Sequence, residues 1–206
     1  MYSGSPMEQI RQRIKKADCG MIFVPSDFTD LADYGTVKAD LARLAKAGLI
    51  RRVIRGIYEY PEYNNFLKEL IAPSPHKIAL ALARNNGWLI VPSGDTALNQ
   101  LGLSPQVPAE WTYVSNGPYR EYFVDKTVVR FKRTTGKDIA KLSYKSALIV
   151  QAIKAIGKNG LDGEYMRRIA RLITADEKSA ILTEGRYITA WIYESIKKIC
   201  DEAAMI

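Results

Sequence analysis

The 206-residue sequence predicts an α+β protein in two parts. A small helical N-terminal domain ends in a short basic ribbon. A larger mixed α/β C-terminal domain follows, with a small antiparallel sheet and a helical tail. Three observations predict this. Residues 36–60, TVKADLARLAKAGLIRRVIRGIYEY, read as helix, glycine stop, strand, turn and strand. Ala72-Pro73-Ser74-Pro75 breaks regular structure and makes a stiff linker. Beyond it, one group of β-rich runs is followed only by helical periodicity. The expected boundaries are 7–61 for the first domain, 62–75 for a connecting helix and proline-rich linker, and 76–206 for the second domain.

In chain order, residues 7–17 form a helix with Met7, Ile10, Ile14 and Ala17 on one side. Ile22-Phe23-Val24 is extended and ended by Pro25. Ser26 caps a short helix over 27–31, and Ala32-Asp33-Tyr34-Gly35 is a turn with glycine where φ > 0 is needed. Thr36 is the N-cap of the next helix. Val37, Leu41, Leu44 and Gly48 make its apolar stripe, with Ala45 beside it, and Gly48 suits the left-handed position that ends a helix. The opposite face carries Ala39, Ala42, Arg43 and Lys46. Two cations beside two alanines can approach a negative surface closely. Arg51, Arg52 and Arg55 follow on the strand, and Gly56 lets the chain double back into Ile57-Tyr58-Glu59-Tyr60. The expected core is Ile10, Ile14, Leu41, Leu44 and Ile57.

Between residues 36 and 56 there are six Lys or Arg and one acid, Asp40. A solvated charged face is the commonest meaning of such a helix. The order helix, strand, short helix, turn, helix, strand, turn, strand instead outlines a winged helix-turn-helix, whose second paired helix reads the major groove. The residues expected to contact DNA are Thr36, Lys38, Ala39, Arg43, Lys46, Arg51, Arg52 and Arg55.

Residues 62–71 read as a short connecting helix with Phe66, Leu67 and Leu70 on one face. A helix over 75–86 is ended by Gly87, and 88–91 is a buried-type strand. Pro92-Ser93-Gly94-Asp95 turns into a helix over 96–101. Three β runs follow, 111–115, 119–124 and 127–132, with Asn116-Gly117 and Asp125-Lys126 as the turns between them. Ser143 caps a helix over 144–156 that is apolar on most sides and so expected to be buried. Helices over 162–173, 175–183 and 186–204 complete the chain. The last has a core stripe of Ile188, Trp191, Ile192, Ile196 and Ile199.

The formal net charge is +8 and the pI about 9.4, which favours a polyanionic partner. Residues 73–206 hold much of that excess. Arg130, Lys132 and Arg133 at the end of a β run, with Arg167, Arg168 and Arg171 on a helix, form a candidate second basic patch for phosphate or an acidic partner. Catalytic chemistry finds little to work with. No phosphate loop or dinucleotide fingerprint is present. Ser93-Gly94-Asp95 lacks the paired carboxylates that a nucleotidyltransferase needs for magnesium. His76 is the one histidine, expected as an exposed helix-start residue, and Cys19 and Cys200 have no neighbouring partner, so no metal site is expected. Glu121 and Asp125 read as ordinary surface partners of nearby cations. No apolar run is long enough for a bilayer. The expectation is a reduced, cytoplasmic protein, not an enzyme, with no cofactor, no catalytic residue and no membrane partner.

The winged segment ending in Arg55-Gly56-Ile57-Tyr58, with Pro61 after it, and the run Pro92-Ser93-Gly94-Asp95-Thr96-Ala97-Leu98-Asn99-Gln100-Leu101-Gly102-Leu103-Ser104-Pro105-Gln106-Val107-Pro108 resemble the AbiEi-like antitoxins of type IV toxin–antitoxin systems. The resemblance covers the chain through about Lys132. It implies a transcriptional autorepressor whose winged domain binds double-stranded operator DNA, with inverted repeats, through Arg43, Lys46, Arg51, Arg52 and Arg55. It also implies a C-terminal domain that counteracts a nucleotidyltransferase toxin without a stable complex. The alternative expectation is a stand-alone winged-helix regulator whose second domain senses a ligand or dimerises. A third is an RNA-binding protein.

Overall fold

The structure is a computed structural model that describes residues 4–134, 139 and 141–202. It is mixed α+β and divides into two compact units, Met1–Gly87 and Trp88–Ile206.

The first unit opens with α1 (Pro6–Lys15), whose Ile10 and Ile14 are fully buried. The short strand β1 (Ile22–Phe23) leads into a 3₁₀ turn, Pro25–Phe28. Pro25 therefore starts the turn rather than merely ending a strand, as suits its fixed φ at a first helical position. The Asp27 carboxylate locks the turn by accepting the Val24 amide at 2.9 Å. The next helix, α2 (Tyr34–Lys46), begins two residues before the expected Thr36. Its N-cap is Asp33, which accepts the Thr36 amide at 3.0 Å and the Thr36 hydroxyl at 2.6 Å. A carboxylate in that place also complements the helix dipole, so Tyr34 and Gly35 lie inside the helix and form no turn. Gly48 and Gly56 take positive φ of 77° and 78°, as their places after a helix and between strands require.

Strands β2 (Arg51–Ile54) and β3 (Ile57–Glu59) join β1 in an antiparallel sheet of order β1-β3-β2. The α1 and α2 stripes close over its inner face around Ile10, Ile14, Phe28, Val37, Leu41 and Leu44. The expected core residue Ile57 is buried as well.

Residues 62–71 form no helix. They are a hairpin, β4 (Tyr63–Asn64) with β5 (Glu69–Leu70), closed by the Ile71 amide on the Glu62 carbonyl at 2.9 Å. The Asn64 side chain accepts the Phe66 and Leu67 amides at 2.9 and 3.0 Å, and Lys68 takes φ of 54°. Asparagine offering the backbone an alternative to helical bonding is what tips this segment. Phe66 is left 91% exposed.

Helix α3 (Pro75–Asn86) is ended by Gly87, as its sequence suggests, and is capped by Ser74. It falls in the first unit, not the second. Arg84 holds both oxygens of Asp27, at 2.7 and 2.9 Å, and Lys77 donates to the Gly20 carbonyl at 3.1 Å. The proline-rich segment is thus a tight connection within a unit. A fragment ending at Gly87 is therefore expected to melt cooperatively. One ending at Pro61 loses those bonds and the apolar face of α3, and its midpoint in a thermal scan should fall by 10 °C or more, as roughly 2 kcal/mol does in a domain this small.

The second unit holds a four-stranded sheet: β6 (Ile90–Pro92), β7 (Glu110–Ser115), β8 (Arg120–Val124) and β9 (Thr127–Arg133), in the order β6-β7-β9-β8. It is mixed rather than antiparallel, because β9 inserts parallel to β7 and pushes β8 to the edge. Asn116-Gly117 is consequently no hairpin turn between neighbours. Asn116 instead pairs with Leu89 through both its backbone amide and its side-chain oxygen, at 3.2 and 2.8 Å.

Helix α4 (Asp95–Gln100) follows β6, and the tail contributes α5 (Tyr144–Ile156), α6 (Gly163–Ala170), α7 (Ala175–Glu184) and α8 (Ala190–Glu202). Ser143 caps α5, whose residues 146–153 are all buried between α4, β6, α7 and α8. Ile192, Ile196 and Ile199 of α8 are buried in the same core, with Ile188 and Trp191 partly buried against it.

Candidate nucleic-acid interface

The stripe that buries Val37, Leu41 and Leu44 turns the opposite side of α2 outward. Lys38, Ala39, Ala42, Arg43 and Lys46 are all exposed. Lys38, Ala42 and Lys46 are spaced four apart, as are Ala39 and Arg43, so they form one continuous face. The β2–β3 hairpin places Arg52, on β2, and Arg55, in the turn, beside it. Between the two lies an open cavity of about 650 Å³, lined by Lys38, Ala39 and Ala42 of α2, Arg52 of β2, Arg55 and Gly56 of the turn, and Asn85 of α3. No acid lines it. The alanines keep the α2 backbone low on that side, and the cations stand at its edges.

Five of the eight residues expected to contact DNA are therefore exposed cations on α2 or the β2–β3 hairpin: Lys38, Arg43, Lys46, Arg52 and Arg55. Of these, Lys38, Arg52 and Arg55 line the groove, and Ala39 joins them in its wall. The other two serve the fold. The Thr36 amide and hydroxyl are engaged by Asp33, and the same bonds hold the Asp33 carboxyl below the usual carboxylate range. Arg51 donates at 2.8 Å to buried Glu59 and at 2.8 Å to the Ile71 carbonyl, tying the strand to the hairpin end. Burial pushes the Glu59 carboxyl above its ordinary value, against the pull of Arg51.

Arg43 is bound more closely to the fold than its exposure suggests. Its side chain is 70% exposed, yet it pairs at 2.9 Å with Asp40, whose side chain is only 4% exposed. The one acid of the basic segment thus sits under the helix face and steers an arginine on top of it. The spacing Asp40 to Arg43 was visible in the sequence. The burial of Asp40 was not.

The remaining sequence candidates lie in the second unit. Arg130 of β9 is held between Glu110 and Glu121, at 2.6 Å from the latter. Arg168 of α6 donates to the Gly102 carbonyl at 2.7 Å and lies over the Tyr165 ring. These two are structural. Lys132, Arg133, Arg167 and Arg171 are exposed on β9, on α6 and just after it. Ser93 and Gly94 line a small cleft with Glu110 and Lys132. His76 is half-buried, and burial pushes its imidazole pKa down. Among the described residues, no three His, Cys, Asp or Glu lie together as metal ligands, and no helix is long and apolar enough to cross a membrane.

A model of a family of unknown function, DUF6088, matches residues 9–181, which include every element of the groove. The chain belongs to the DUF6088 family. No protein of the curated set matches it significantly. Among solved structures it is similar to the RV2827C protein from Mycobacterium tuberculosis, at 12% identity and a TM-score of 0.45, over 96% of this chain and 77% of that one. A likeness that weak carries no argument about function.

Within this DUF6088 chain, the groove also includes residues that sequence reasoning missed, Tyr34 and Asn85 among them. Tyr34 was assigned to a turn but starts α2, and Asn85 was assigned to the second domain. Asp33, a favoured N-cap residue, is a local signal for Tyr34; nothing local marks Asn85. Their places follow from the Asp33 cap and from the docking of α3 by Arg84.

Proposed function

We propose that the first unit is a winged helix-turn-helix that binds double-stranded DNA, and that the chain acts as a transcriptional autorepressor and antitoxin opposing a nucleotidyltransferase toxin. The observation that carries the DNA reading is the acid-free groove between the exposed face of α2 and the Arg52–Arg55 turn. In this reading α2 enters the major groove and the turn rests on the backbone. Lys38, Lys46, Arg52 and Arg55 meet phosphates, while Arg43 faces base edges at the centre of the helix. The antitoxin part rests on the resemblance over residues 92–108, and its partner is the toxin itself, opposed without a stable complex.

The test is binding of the full chain and of Arg43→Ala to the duplex upstream of its own gene and to a scrambled duplex, over a salt series. The parent should bind both, with affinity falling steeply as salt rises. Arg43→Ala should lose about 10-fold on the upstream duplex and clearly less on the scrambled one, as loss of a guanine contact worth about 1–3 kcal/mol implies. Because Asp40 is left buried without its arginine, the variant should also melt lower, and binding is read below that melt. A parent that binds neither duplex at low salt rejects the proposal.

A further inference from the structure

The groove has a third wall that a helix and a wing alone would not supply. Asn85, in the last turn of α3, lines the same cavity as Lys38, Arg52 and Arg55. Its neighbours are committed elsewhere. Arg84 is bound to Asp27 and the Ile22 carbonyl, and the Asn86 amide donates to the Leu82 carbonyl at 2.7 Å. The Arg84 bonds, with Lys77 on Gly20, fix α3 against β1 and the 3₁₀ turn. Asn85 is exposed and is thereby held still at the groove edge. The last turn, Ala83-Arg84-Asn85-Asn86, contains no acid. Carbonyl groups at a helix C-terminus repel phosphate, so a duplex can pass this wall only where a donor faces it.

Resting on the DNA reading above, we propose that α3 belongs to the duplex interface and that the Asn85 side-chain amide donates a hydrogen bond to a phosphate oxygen beside those held by Arg52 and Arg55. A neutral donor adds affinity without releasing a counterion. Its loss therefore has a signature that the loss of a cation lacks. The docking of α3 also explains why the helix sits in the first unit: it completes the site.

The experiment uses the full chain and a mixed-sequence duplex about two helical turns long, titrated from low to high salt. Parent, Asn85→Ala, Asn85→Asp, Asn85→Gln and Arg55→Ala are compared after their thermal melts have been matched. Asn85→Ala should bind about 3- to 10-fold more weakly at every salt concentration, with an unchanged slope of log K against log salt. Asn85→Asp should lose more, most at low salt, and Asn85→Gln, which keeps the donor, should recover part of the loss. If both Asn85→Ala and Asn85→Asp bind like the parent while Arg55→Ala is weakened, α3 stands outside the interface and only this inference falls. If Asn85→Ala flattens the slope, its effect comes through displaced cations and the inference is overturned. If the parent itself binds no duplex at low salt, the DNA reading falls and takes this inference with it.

Discussion

Replacing Arg52 and Arg55 together by alanine is expected to weaken duplex binding about 100-fold near physiological salt, at tenfold or about 1.4 kcal/mol per lost contact. Both side chains are exposed at the groove edge, Arg52 on the outer face of β2 and Arg55 in the β2–β3 turn, and neither belongs to the core. Each phosphate contact contributes roughly 0.9 to the slope of log K against log salt, so the double variant should lower its magnitude by about 1.8. The loss should be similar on the upstream and scrambled duplexes, because phosphate contacts carry no sequence information. Thermal melts should stay within a few degrees of the parent. In cells the double variant should release the promoter of its own operon. It should still protect against a cognate nucleotidyltransferase toxin, whose neutralisation is assigned to the second unit. Loss of protection together with repression would show that the two activities are not separable. Unchanged binding would remove the turn from the interface.

The second large effect concerns the neighbouring arginine and has the opposite character. Arg51→Ala is expected to destabilise the first unit by about 3–5 kcal/mol, the usual result of stranding a buried charge. Glu59 is 2% exposed and has Arg51 as its close cation, while Arg51 also holds the Ile71 carbonyl of the hairpin. Denaturant unfolding followed by circular dichroism gives the number. Glu59→Gln in the Arg51→Ala background should restore part of the loss, since a neutral amide costs less to bury than a carboxylate.

The pH dependence follows from the sign of the shift. The folded carboxyl pKa of Glu59 already lies above its ordinary 4.5, chiefly through burial, and removing the arginine raises it further. A folded state that binds the proton more tightly than the unfolded state loses stability as pH rises from the unfolded value through the folded one. The deficit of Arg51→Ala should therefore be smallest at acidic pH and grow across that window to its full size near neutrality. A deficit independent of pH would mean that Glu59 is not the group left uncompensated.

These two neighbours show how far the sequence could be read. Arg51, Arg52 and Arg55 look alike in a basic strand. The pleat of β2, together with its pairing on β3, turns Arg51 toward Glu59 and leaves Arg52 and Arg55 to the groove. Glu59 lies eight residues away, and nothing local says that it is buried. The same holds for Arg130 and Arg168, whose partners Glu110 and Gly102 stand 20 and 66 residues off.

What the sequence by itself determined is what depends on near neighbours. The apolar stripe of α2, the glycine that ends it, the positive φ at Gly56, the cap at Ser143 and the buried run of α5 are all consequences of spacing within a few residues. The exposed cations of α2 follow as the complement of that stripe. Tertiary structure alone decided which basic residues remain for a ligand, that β9 inserts between β7 and β8, and that α3 docks on the first unit through Arg84 and Asp27, 57 residues apart. It also decided the hairpin at 62–71, where short strands gain their bonds only from each other. The physical reason is common to these cases. Helix periodicity and turn chemistry are local free energies, whereas strand order, ion-pair choice and domain membership depend on partners that the chain brings together only when it folds.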